Sequence, residues 1–222
     1  WRTASGVLGM SLAVAILVGS LWSFGSIEHM IDISFHRTDR QDATISFTSL
    51  SPYPALHAVR QLPGVTRAEP YRAVSVKISH GHVERRLAIF GKPRAADLSR
   101  VLDSDLRPLR MPEAGLMISS SMAEILNVRT GEQVTVELQE GDRRVLILPV
   151  SAIAEGYLGL MAYMDLDALN RALREGPMIS GVHVSIDAAR ERELFGALKA
   201  TPTASFIALQ KVSMQKFRET LA

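Results

Sequence analysis

From Ala4 to Phe24 the chain reads "ASGVLGMSLAVAILVGSLWSF", and no charged residue occurs between Arg2 and Glu28. At 1.5 Å per residue, about 20 residues of helix span the roughly 30 Å hydrocarbon core of a bilayer. A secretory signal would instead combine several basic residues, an apolar region of about 7–15 residues and a small-x-small cleavage site. The run here is longer, and the sequence opens on Trp1 rather than Met. The expectation is a retained transmembrane helix over residues 1–27, in an excerpt of a larger protein. Ser5/Gly9 and Ala15/Gly19 have the small-xxx-small spacing that permits close helix approach in lipid, and Trp22 suits an interfacial anchor.

Past this run, Ile27, Met30, Ile31 and Ser34/Phe35 keep helical spacing, which predicts an amphipathic stalk over residues 28–42 that "RTDRQD" (Arg37 to Asp42) ends. Basic and acidic residues nearly balance, 25 against 23, and are interspersed, while aromatics make up 6%. A nucleic-acid surface needs a one-sided Lys/Arg patch with stacking aromatics, so no nucleic-acid partner is expected. The chain has no cysteine, which excludes thiol catalysis, disulfides and cysteine-based zinc sites.

The remainder alternates short strands and helices. "ATISF" (Ala43 to Phe47) predicts a strand. "SPYPALHAVRQLPGV" (Ser51 to Val65) predicts a helix capped at Ser51 with Pro52 in its first turn. Thr66–Ile78 and Val83–Gly91 alternate like paired strands around the Gly81 turn. A linker-like stretch of mixed charge runs from Lys92 to Gly115. Then "GLMIS" reads as a strand, "SSMAEILNV" as a helix, and Gln133–Glu155 as two strands turning at Glu140-Gly141-Asp142. Ala162–Gly176 reads as a strand end and a helix capped at Asp165 or Asp167. The chain continues with a strand over Ile179–Asp187, a helix over Ala188–Ala200, a strand over Ala204–Leu209 and the start of a last helix. The fold class this implies is α+β: a β-α-β-β unit, an inserted module, then β-α-β.

Chemistry-bearing motifs are few. Ser119, Ser120 and Ser121 sit at a strand-to-helix turn, where some hydrolases hold their nucleophile. A nucleophile elbow needs flanking glycines and a base held by a third group, and "MISSSMA" has no such glycines. A helix cap at Ser120 or Ser121, with Glu124 as its capping-box partner, accounts for the cluster. Of the six histidines, only His183 lies inside an apolar pattern. His80-Gly81-His82 supplies at most two metal ligands around a turn, and Asp103/Asp105 and Glu191/Glu193 read as solvated charge. No catalytic, metal or cofactor residue is assigned, and no G-x-x-x-x-G-K-[ST] phosphate loop occurs.

The order of these pieces resembles the first transmembrane helix plus extracytoplasmic domain of FtsX/MacB/LolC-type permeases, the mechanotransmitting class of ABC transporters. The matching stretches are the apolar span and stalk, "LPGVTRAEP" (Leu62 to Pro70), "LAIFG" (Leu87 to Gly91) and "GLMISSSMAEILNVRTGEQVTVEL" (Gly115 to Leu138). "PVSAIAEGYLGLMAYMDLDALNRAL" (Pro149 to Leu173) and "SGVHVSID" (Ser180 to Asp187) complete them. The resemblance implies a discontinuous porter-like α/β part at residues 43–102 and 179–210, with a mainly-β sabre-like insertion at 103–178. Residues 211–222 would lead toward a second membrane span.

It further implies a non-enzymatic permease segment in the inner membrane, its soluble domain in the periplasm. Cytoplasmic ATP hydrolysis by a separate ATP-binding subunit would move that domain, with lipid, lipoprotein, peptide or drug as cargo. A second permease copy, membrane lipid and a periplasmic adaptor or lipoprotein are the other implied partners. In "LGLMAYM", Leu158, Leu160, Met161 and Tyr163 are the candidate cargo or partner contacts, since flexible methionines suit an adaptable apolar surface. The alternatives are an extracytoplasmic sensor domain, a regulator of cell-wall hydrolases, and a membrane-tethered hydrolase using the serines.

Overall fold

A computed structural model describes residues 37–141, 143–155, 159–199 and 204–209, together with Ser11, Val14, Ala15, Ile16 and Val18. Most of the expected membrane helix and residues 28–36 of the stalk lie outside the described residues, and 211–222 entirely so; at the described end of the stalk, Asp39 bridges Ser99. Among the described residues no helix is long and apolar enough to cross a membrane.

The first strand, β1, runs from Ala43 to Pro52 and overtakes the expected start of the first helix. Ser51 and Pro52 pair with Ile179 and Met178 of the strand Met178–Ile186 (β10), and Tyr53 N donates to Pro177 O. Cross-strand pairing therefore wins over the local capping preference of Ser51. The helix α1 begins only at Ala55 and ends at Arg60, and its N-cap, Pro54, makes no side-chain cap bond. Six residues are too few for a helix to persist alone, so the burial of Leu56 and Val59 is what holds it.

A single 16-residue strand, β2 (Val65–His80), then organises the molecule. Its first half pairs antiparallel with β10, from Val65↔Ile186 to Tyr71↔Gly181. β1 lies on the far side of β10, and β11 (Ala204–Leu209) beyond β1. The spatial order β11-β1-β10-β2 is that of a split β-α-β unit. α1 and the helix Glu191–Lys199 (α4) pack against it. Leu56, Val59, Leu194 and Leu198 bury there with Ile45, Ile179, Val182 and Val184.

The second half of β2 pairs on one edge with β3 (Val83–Lys92) and on the other with β7 (Gln133–Leu138). β3 continues in parallel to β9 (Ala162–Asp165), which neighbours β6 (Leu116–Ser119). β6 runs parallel to β8 (Val145–Ala154), and β8 returns antiparallel to β7. The ring β2-β3-β9-β6-β8-β7 thus closes on itself. Closure leaves no free edge on which another strand could template. Alternate residues point inward, so Val74, Val76, Ile78, Ile89, Val134 and Val136 share one core with Leu116 and Ile118. Met122 and Leu126, from the helix Ser120–Leu126 (α2), cap that core.

Two local expectations are corrected here. The cap of α2 is Ser119, the last residue of β6, whose extended backbone leaves its Oγ to accept from Met122 N at 3.3 Å. Ser120 and Ser121 already belong to the helix, which ends at left-handed Asn127. The Lys92–Gly115 stretch is no plain linker: Val101–Leu102 (β4) and Pro108–Leu109 (β5) form a small antiparallel pair. Asp165 caps the helix Leu166–Leu173 (α3), accepting from Ala168 N at 2.9 Å.

Where β2 passes from one core to the other sits Arg72, only 3% exposed. Its Nη1 donates to Ala73 O at 2.8 Å and to Ser180 Oγ at 3.2 Å, and its Nη2 donates to Glu175 at 3.4 Å. Next to it, the backbone of Gly181 faces Ile45 O and the Tyr71 ring so closely that an added Cβ would lie 2.7 Å from Tyr71 Oη. Gly181→Ala is therefore expected to destabilise the fold by about 1–3 kcal/mol, the range for overpacking, visible as a lower urea midpoint. A midpoint unchanged from that of the parent chain would contradict this packing.

Candidate functional site

Among the described residues, the buried polar side chains Gln41, Lys92, Ser99 and Ser119 gather at the junction of the two cores. The loop after β3 and the segment entering β1 are sewn together there. Arg40 N and Gln41 N both donate to Leu98 O, at 2.7 and 3.1 Å, and Arg100 N donates to Thr38 O at 2.8 Å. The Asp97 carboxylate gathers Arg40, Arg67 and Arg100. The guanidiniums, Arg100 foremost, hold it below the usual carboxylate range. Glu69, on β2, accepts from Asp97 N and Leu98 N and so ties the same loop to the strand. Asp42 in turn accepts from Ile186 N at 2.8 Å and Ser185 Oγ at 3.0 Å, fixing the segment to β10.

Inside this seam is a cavity of about 350 Å³. Thr38, Asp39 and Gln41 line it from the incoming segment, Phe90 and Lys92 from β3, and Tyr71 and His183 from the first sheet. Val101, Leu102, Met161 and Tyr163 add apolar wall, and Ser119 and Ala154 come from the ends of β6 and β8.

Lys92 is 7% exposed. Its Nζ donates to Ser99 Oγ at 2.8 Å and to Ser99 O at 3.3 Å, and it stands 4.9 Å from the centre of the Tyr163 ring. Ser99 Oγ passes the connection on to Asp39 Oδ1 at 3.1 Å. Burial lowers the ammonium to about 8, although the charges of Asp39 and Glu69 pull the other way. At neutral pH the group is therefore still mostly cationic.

His183 stacks on Tyr71 with ring centres 4.6 Å apart, and its Nδ1 lies 3.0 Å from Thr44 Oγ1. Burial, aided by the Lys92 charge, holds it down at about 3, so its ring is neutral. Burial raises the Tyr163 phenol to about 12, Asp39 adding to the effect.

Ser119 and His183 line the same cavity, a juxtaposition not visible from their separation in sequence. Among the described residues no hydrogen bond joins them, and each has other partners. Ser119 Oγ accepts from both Met122 N and Met161 N, at 3.3 and 3.2 Å, so both of its lone pairs are taken up in fixing the turn and the helix start. The imidazole Nδ1 is engaged by Thr44.

Of the expected cargo contacts, Met161 and Tyr163 face the cavity, Leu160 packs against the ring core, and Leu158 lies outside the described residues. His80 Nδ1 sits 3.0 Å from Leu126 O at the β2–β3 turn. Asp103 accepts from Arg107 N at 2.8 Å, and Glu193 pairs with Arg190 at 2.9 Å. Sequence reasoning passes over Lys92, taken as the first residue of a linker. The available signal was its place two residues after Phe90, on the same face of an apolar strand.

No protein-family model matches the chain, and no curated protein matches it. Among solved structures, the periplasmic region of MacB from Actinobacillus actinomycetemcomitans matches with a TM-score of 0.52 and 13% identity, over 82% of this chain and 95% of that one. The extracellular domain of the noncanonic ABC-type transporter YknZ from Gram-positive bacteria matches with a TM-score of 0.50 and 12% identity, over 76% and 98%. The fold is that of a MacB-like periplasmic domain, as the resemblance implied.

The titration of Lys92 gives a measurable consequence. In the folded chain it loses its proton near 8, against about 10.5 when unfolded, so between these values the unfolded chain holds more protons and stability rises with pH. From pH 8 to 10, the parent chain is expected to gain up to about 1.4 kcal/mol per pH unit relative to Lys92→Met. At pH 7 the Met variant should be more stable by about 1–3 kcal/mol. Urea midpoints that differ by a constant amount across this window would refute the assignment.

Proposed function

We propose that this chain is the N-terminal membrane helix and extracytoplasmic domain of an ABC-transporter permease subunit, a non-catalytic part that relays movement of the membrane helix to the folded domain. The observation that carries this is how the segment leaving the apolar run is attached. Residues 38–42 do not hang from the domain by one bond; they are stitched to the 97–100 loop and to β10 by backbone and carboxylate hydrogen bonds. A pull on this segment is passed to Ser99, then to Lys92 on β3, and to Glu69 on β2. Rigid attachment of this kind turns a helix displacement into domain movement, as in hinge and shear transitions.

The fold shared with the MacB and YknZ domains supports the same reading. So does the charge-free run from Ala4 to Phe24. ATP would be bound by a separate subunit in the cytoplasm, two permease copies would assemble, and the domain would stand in the periplasm. Lipid, lipoprotein, peptide or drug cargo fits this class, and Met161 and Tyr163 are the residues proposed to meet it. The porter-like and sabre-like division at residues 43–102 with 179–210 and at 103–178 belongs to this proposal.

In its membrane, the full-length protein should co-purify with an ATPase subunit whose turnover depends on it. Asp97→Ala, which releases Arg40, Arg67 and Arg100, should leave that complex assembled while lowering its stimulated ATPase activity several-fold. Failure to associate with any ATPase would overturn the permease reading. Full activity in the Asp97→Ala complex would overturn the role of the seam.

A further inference from the structure

The two cores share β2, yet no ladder of backbone pairs runs across the point where they meet. β10 pairs with β2 as far as Gly181↔Tyr71 and stops there. β3 begins on the opposite edge at Gly91↔Arg72, and β7 takes up the edge that β10 left only from Leu138↔Val76 onward. Among the described residues, every ladder of β2 therefore lies wholly on one side of the Tyr71–Arg72 step.

In the interval between β10 and β7, side chains stand in for a strand. Ala73 N donates to Ser180 Oγ at 3.1 Å, while Ser180 Oγ and Arg72 Nη1 donate to Ala73 O at 3.3 and 2.8 Å. Two residues on, Ser75 N donates to Glu140 Oε1 at 2.7 Å. Ala73 and Ser75 face the same edge, because alternate residues of a strand direct their backbone groups to one side. Ser180 belongs to the sheet and Glu140 to the turn between β7 and β8 of the ring. Arg72 reaches both bodies: besides its bonds to Ser180 and Glu175, its Nη1 stands 3.9 Å from Glu140. The two carboxylate side chains are 43% and 37% exposed, and among the described residues the buried Arg72 Nε has no partner.

Side-chain bonds of this kind break singly, whereas a ladder opens as a cooperative unit. The apolar link between the halves is α3, which sends Leu166 into the first core and Leu169 and Leu173 into the second. Packing of that type slides in small steps, the shear that accompanies hinge motion. We infer that Arg72–Ser75 is a pivot about which the closed ring tilts as one body against the sheet β11-β1-β10-β2, with Arg72 as the clasp that limits the tilt. A pull on the incoming segment reaches the sheet through Glu69 and the ring through Lys92, so it acts on both sides of the pivot. The pivot goes beyond the relay reading and stands without it, since it rests on how the two halves of β2 are paired.

The chain has no cysteine, so nitroxide pairs can be placed on the whole chain in lipid nanodiscs without background labelling. Thr66→Cys with Thr135→Cys spans the pivot, and Thr66→Cys with Ser49→Cys stays within the sheet; all three positions are exposed. Double electron–electron resonance should give a wider distance distribution for the first pair than for the second. Ser180→Ala, which frees Ala73 N, and Glu140→Ala, which frees Ser75 N, should each widen the Thr66–Thr135 distribution further, by about half, and leave the Thr66–Ser49 distribution unchanged. Either variant suffices if the other fails to fold, and the comparison of the two pairs in the parent chain decides if neither folds. Equal widths for the two parent pairs, an unchanged Thr66–Thr135 width in a folded variant, or equal widening of both pairs would each overturn the proposal.

Discussion

Strand β2 gives its first half to a four-stranded sheet and its second half to a closed ring, so two hydrophobic cores share one backbone. Almost every other feature follows from that sharing. Val65–Tyr71 must pair with β10, while Arg72–His80 is gripped by β3 on one edge and, over Val76–Ser79, by β7 on the other. The strand can neither slip nor bend independently in either half, because a one-residue shift would turn both apolar sets outward together. Arg72 stands at the changeover, holding Ser180 from one side and Glu175 from the other. The close approach at Gly181 lets β1 and the Tyr71 ring share the same space.

Two cores meeting along one strand also explain why buried polar groups gather at the junction. Neither core can close over the seam with apolar side chains alone, since the incoming segment and the 97–100 loop bring backbone donors and acceptors that must be met. Leu98 O and Thr38 O take backbone donors across the seam, Glu69 takes Asp97 N and Leu98 N, and Lys92 reaches Ser99 O from the end of β3. A buried ammonium held by a serine rather than a carboxylate costs stability at neutral pH, as its lowered pKa reports. Through Ser99 it joins Asp39 of the incoming segment to the end of β3.

Much of the local structure was legible in the sequence. Alternation marked β2 and β3, Gly81 marked their turn, and Asp165 marked the start of α3. The three serines did signal a strand-to-helix turn, but the cap fell one residue earlier because Ser119 keeps the extended backbone of β6. The first helix began later than expected because Ser51 and Pro52 were claimed by β10, which lies more than a hundred residues on. Lys92 looked like the start of a linker because nothing nearby in the chain reveals that Ser99 and Tyr163 enclose it.

By itself, the sequence determined the charge-free N-terminal run, the succession of strands and helices, and the absence of thiol chemistry. Each of these rests on residue type or on spacing within a few positions. Only the tertiary structure decided the closure of the ring through β2 and β7, the parallel pairings of β3 with β9 and of β6 with β8, and the cavity between Gln41 and Lys92. These depend on contacts between residues tens of positions apart, where hydrogen-bond register and shared burial, not local preference, select the partner.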